Sequence, residues 1–162
     1  MSISSGEVSA CKGEGILRAS AIGSCVVVTA YDPDSRVGSM AHVMLPGASR
    51  DKDSSRRTRC AEDAIREMMQ KMADLGADEA RAHVCLIGGG NVLGDGHVSP
   101  GPEIVRSLTE ILGRRGIEPV GIEVGGTQRR SCVLDVAGGR VTYTIGDSAR
   151  QILWESAEKV TT

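Results

Sequence analysis

The sequence predicts an α+β fold in one domain, residues 1–162. Two observations lead there, together with a length sufficient to bury a proper core. The predicted elements run βββ-α-β-α-βββ, which does not alternate as a doubly wound parallel sheet would. Two segments carry apolar residues at helical spacing, and the remaining apolar residues fall in short runs between turn signals.

Taken in order, "GILRAS" (15–20), "SCVVVTAY" (24–31) and "RVGSMAHVML" (36–45) read as strands, with "YDPDSRVG" as the turn between the second and third. Those two strands are expected to pair antiparallel. "RDKDSSRRTR" (50–59) is a dense run of mixed sign and reads as a solvated loop. "RCAEDAIREMMQKMADLGA" is the clearest helix: Ala61, Ala64, Ile65, Met68, Met69, Met72 and Leu75 share a face, and Gly76 stops it. Its methionine stripe reads as core filling. "RAHVCLIG" (81–88) is a buried strand. "GPEIVRSLTEILGRRG" is the second helix, with Pro102 in its first turn, Ile104, Val105, Leu108, Ile111 and Leu112 as the apolar face, and Gly116 at its end. "EPVGIEV", "RRSCVLDV" and "RVTYTIG" follow as strands, the last two joined as a hairpin through Gly138 and Gly139. "DSARQILWESAEKV" (147–160) reads as a short terminal helix capped by Asp147 or Ser148.

With no Phe, one Trp and two Tyr, the core must be built from Val, Ile, Leu, Met and Ala. A net charge of −2 shows no basic stripe, so no nucleic-acid partner is expected. No apolar stretch approaches the ~20 residues that cross a bilayer, so no membrane insertion is expected. The start "MSISSGEVSACKGEGILRAS" lacks the basic and apolar regions of a signal peptide. The five cysteines, Cys11, Cys25, Cys60, Cys85 and Cys132, are odd in number and form no Cys-x-x-Cys pair. That pattern suits a reducing cytoplasm.

Three motifs bear on chemistry. "LIGGGNVLGDGH" lacks both the third glycine of a dinucleotide fingerprint and a following Gly-Lys-Ser/Thr. It reads as a turn at a strand end whose glycines allow close approach to a ligand. His83 and Cys85 lie two apart on one strand and, with His97, allow a metal hypothesis, but no His-x-x-x-His spacing supports it. Cys25 follows Gly-Ser at the start of a strand, and His42 stands on the next predicted strand. A nucleophile and base on adjacent strands are rigidly held. Against this stands the ordinary role of cysteine as a small buried hydrophobe.

"IGSCVVVTAYDP" followed by "VGSMAHVMLP" closely resembles the chemoreceptor glutamine deamidase family, CheD. The likeness continues through "RCAEDAIREMMQKMADLGA", "LIGGGN" and "EVGGTQRRSCVLDVAGGRVTY", covering most of residues 15–146. The resemblance implies a cytoplasmic enzyme that converts glutamine side chains of methyl-accepting chemotaxis receptors to glutamate. Its expected contact is the receptors' helical region, and a CheC-type phosphatase is an implied partner. It implies a layered α/β/β/α fold shared with deamidating toxins: sheets face to face, helices outside. It places the catalytic cysteine and histidine at Cys25 and His42. The family's third residue is a threonine shortly before the cysteine; here Ser20 offers the hydroxyl, or the alignment falls on Ala19.

The expected chemistry is amide hydrolysis without cofactor or metal. Cys25 attacks the glutamine carbonyl, His42 moves the proton, backbone N–H groups near Cys25 hold the oxyanion, and Ser20 orients His42. A thiol paired with His42 is expected to ionise below the ~8.5 of free cysteine. Two rivals stand beside this: a non-catalytic adaptor binding receptors or a CheC-type phosphatase, and a metal hydrolase built on His83, His97 and Cys85.

Overall fold

The computed structural model describes residues 1–157. Its strands are β1 (Val8–Lys12), β2 (Ile16–Ile22), β3 (Val26–Asp32), β4 (Val37–Val43), β5 (His83–Gly88), β6 (Gly121–Val124), β7 (Arg130–Asp135), β8 (Arg140–Ile145) and β9 (Gln151–Glu155). The helices are α1 (Ser54–Arg57), α2 (Ala61–Asp74) and α3 (Gly101–Arg114), with a 3₁₀ turn at Glu79–Arg81. The fold is α+β with two sheets. One has five strands in the order β1-β4-β3-β5-β6, and the other has four in the order β2-β7-β8-β9.

The five-stranded sheet is covered on both faces, which explains the unbroken apolar runs of β3 and β4. Val26, Val28, Ala30, Ala41 and Val43 face the helices, against Ile65 and Met68 of α2 and Ile104 and Leu108 of α3. Val27, Tyr31, Met40, Cys85 and Ile87 face the second sheet, against Leu17, Ile22, Cys132 and Leu134. Methionine and branched aliphatics supply the volume that aromatics would supply elsewhere. The β3–β4 pair is antiparallel as expected, and β7–β8 form the hairpin through Gly138 and Gly139.

Two expectations are corrected. The segment read as a terminal helix forms β9 instead, because Gln151–Glu155 pairs with β8 and the sheet supplies its hydrogen bonds; residues 158–160 of that segment lie outside the described residues. Both long helices pack on the same face of the five-stranded sheet. Among the described residues the layers are therefore helix, sheet and sheet, with no helix over the outer face of the four-stranded sheet. The solvated 50–59 run holds one exposed turn of helix, α1, capped by Asp53.

A further strand, β1, pairs with β4 at the sheet edge. Its residues are only half-buried, so "VSACK" shows no apolar periodicity.

Candidate active site

Cys25 occupies the last position of the turn between β2 and β3. The turn is braced from behind. Gly89 donates its backbone N–H to the Cys25 carbonyl at 2.8 Å, and Gly90 donates to the Gly23 carbonyl at 2.9 Å. The glycine run after β5 is thus a scaffold for the Gly-Ser-Cys turn. Gly125 in turn donates to Gly88 O, and Asn91 to Gly126 O. Buried Arg130 fixes that second glycine pair, donating to Gly125 O at 2.6 Å and pairing with Glu123 at 3.0 Å.

His42 lies directly opposite Val27 in the β3–β4 ladder. Cys25 stands one residue before that ladder begins, two positions from the partner of His42. His42 is 95% buried, being only 5% exposed, and its Nδ1–H donates to the Ile3 carbonyl at 3.3 Å. The acceptor at that nitrogen is thus a backbone oxygen. Ser20 is exposed and lines the same depression as His42, Ile3 and Ser5, a space of about 340 Å³.

Cys25 opens on the other side, into a cavity of about 330 Å³ walled by Ser24, Gly90, Asn91, His97 and Arg129. The two depressions meet at a bulge in β2. Ala19 pairs with Cys132 but Ile22 pairs with Arg130, so β2 carries one extra residue. The bulge gives Ala21 a φ of +53° and sends Ser20 to the His42 side and Ala21 to the Cys25 side.

Burial raises the pKa of the Cys25 thiol, offset in part by the Ser5 hydroxyl and the cysteine's own backbone N–H. The expected lowering does not occur. Burial also lowers the pKa of His42, against the Ile3 carbonyl and Glu7, so the ring is neutral and lends no positive charge to a thiolate. The resting pair is thiol and imidazole, and Nε2 is left with the lone pair.

The metal-hydrolase rival is not supported by geometry. His83 stacks on Trp154 at 4.9 Å, Cys85 is buried between the sheets, and His97 sits on the Cys25 cavity wall. Sequence reasoning missed Ile3, Ser5 and Arg130. Ile3 acts through its main chain, which no side-chain motif records.

Fold and site define a two-sheet α+β protein with a half-buried thiol at the entrance of β3 and a buried imidazole on the neighbouring β4. A family model described as CheD chemotactic sensory transduction matches residues 44–145, and the chain belongs to the CheD family. A protein of Chlorobium luteolum named "Probable chemoreceptor glutamine deamidase CheD" is 35% identical over 150 residues, 93% of this chain and 75% of the relative. A relative in Desulforamulus reducens with the same name is 33% identical, covering 81% of this chain and 82% of its own. The "Chemoreceptor glutamine deamidase CheD" of Thermotoga maritima is 29% identical, covering 84% and 85%.

Proposed function

We propose that this protein hydrolyses glutamine side-chain amides on methyl-accepting chemotaxis receptors, giving glutamate and ammonia. The observation that carries the proposal is the placement of Cys25 at a cavity mouth where β3 begins, with His42 on the adjacent strand opposite Val27, in a chain of the CheD family. His42 Nε2 takes the thiol proton as sulfur attacks the amide carbon. The proton then passes to the departing nitrogen, which leaves as ammonia. Water cleaves the thioester with His42 again as base, and regenerates the thiol. The backbone N–H of Cys25 is the first candidate to hold the oxyanion, since it already faces its own sulfur. Ser20 is the polar wall of the His42 depression, and the Ile3 carbonyl takes the ring-orienting part.

The proposal includes a cytoplasmic location, supported by five free cysteines, and a deamidase-like cysteine-hydrolase fold, supported by the two sheets packed face to face with helices outside the five-stranded one. A CheC-type phosphatase is the proposed protein partner. No helix among the described residues is long and apolar enough to cross a membrane.

Incubation of the protein with a receptor's helical region, followed by mass spectrometry of its peptides, tests the activity. A gain of about one dalton at specific glutamines is expected, absent with Cys25→Ala. A receptor left unchanged by folded wild-type protein would return the adaptor alternative.

A further inference from the structure

The segment before β1 runs across both sheets beside the candidate pair. Gly6 donates its N–H to the His42 carbonyl at 2.8 Å, and His42 donates its own to the Glu7 carbonyl at 3.0 Å. The same segment ties to the other sheet, where Ile3 N–H meets the Arg18 carbonyl at 2.8 Å and Arg18 N–H meets the Met1 carbonyl at 3.0 Å. Between these anchors the Ile3 side chain is buried, 3% exposed, in the cluster that holds Leu17, Val27 and Met40. Its carbonyl is therefore pinned, and it receives the Nδ1–H of His42. Ser5, two residues on, shares the His42 depression.

We propose that Ile3–Glu7 is a positioning strap whose Ile3 carbonyl holds His42 as the Nδ1–H tautomer. An imidazole protonated on Nδ1 has its lone pair on Nε2, the only nitrogen then able to take a proton. Were the acceptor lost, the proton would be free to move to Nε2 and the base would vanish. Ile3 acts through His42 and does not touch the amide through this contact. The significance for turnover rests on the amide-hydrolysis reading, but the test does not.

Ring ¹H–¹⁵N correlation spectra of the labelled protein above neutral pH report the tautomer directly. The chain has three histidines, so His42→Gln identifies the signal. The Nδ1–H tautomer is expected in the wild type, and a tautomer mixture in Ile3→Ala, with Ile3→Val retaining the wild-type pattern. Alkylation of Cys25 at neutral pH should slow about fivefold in Ile3→Ala, with Ile3→Val retaining the wild-type rate. An Nε2–H tautomer in the wild type would overturn the assignment of Ile3, even if Ile3→Ala failed to fold. No receptor enters these measurements, so a negative result here and a receptor left unmodified are separate outcomes.

Discussion

A β-carbon added to Gly88 would stand 2.4 Å from the carbonyl oxygen of Cys25. The same carbon would meet Ile22 Cγ2 at 2.6 Å, and the backbone φ of +119° at this position is one that L side chains rarely adopt. The end of β5 and the Gly-Ser-Cys turn are thus packed backbone to backbone. Gly88→Ala should cost about 2–3 kcal/mol of stability, since neither neighbour can yield without moving the turn. Denaturant unfolding should show the loss, and Cys25 alkylation should change in the variant even where it is fully folded.

On the proposed mechanism His42 sets the acid limb of the reaction. Its pKa is lowered from 6.5 by burial, so the neutral base is present at pH 7 and is lost only as pH falls below that value. Cys25, pushed up by its own burial, stays a thiol at neutral pH and needs the base. Turnover should therefore hold steady from neutral down to below pH 6.5 before falling. His42→Gln should reduce turnover by about a hundredfold or more. A pH–rate profile of kcat/KM in both proteins checks this.

Asp32 predicts a second pH effect, on stability. Burial alone would raise its pKa, but hydrogen bonds from Arg81, Asp78 N–H, Ser35 and Asp34 N–H bring it down from 3.8 to about 2. Arg81 reaches both carboxylate oxygens, at 3.2 and 3.0 Å. A depressed carboxylate contributes stability that is present above its unfolded value and is lost as pH falls through its folded one. The loss should fall between about pH 4 and pH 2 and amount to about 2 kcal/mol. Asp32→Asn should lower stability by about 2–3 kcal/mol at neutral pH and flatten that window. Thermal unfolding as a function of pH measures both.

The bulge in β2 holds Ala21 at φ +53°, a conformation that costs an L residue about 1–2 kcal/mol. Ala21→Gly removes that strain and adds chain entropy to the unfolded state. A net gain of about 0.5–1 kcal/mol is expected from chemical denaturation. Ala21→Val should be destabilising, because a β-branched residue tolerates this backbone less well.

The parts legible in the sequence are those where one physical signal dominates. Met68, Ile104 and Leu108 declare α2 and α3 because a helix facing a sheet must repeat its apolar residues near every 3.6 positions. Val26–Val28 declare β3 because a strand covered on both faces needs apolar residues at every position. β9 was hidden because Ile152 is exposed at a sheet edge, so only pairing with β8 distinguishes it from helix. Cys25 and His42 could be picked out by residue type and placed on neighbouring strands. That they open into different depressions could not, since the strap and the bulge that separate them depend on backbone geometry.

The glycine run after β5 has one more consequence. It grips the Gly-Ser-Cys turn at one end, through Gly89 and Gly90, and leads at the other into the Asn91–Ser99 stretch that walls the cavity. Leu93, His97 and Val98 are exposed on that wall, so a side chain changed there reshapes the cavity without touching the backbone bonds that hold Cys25 in place.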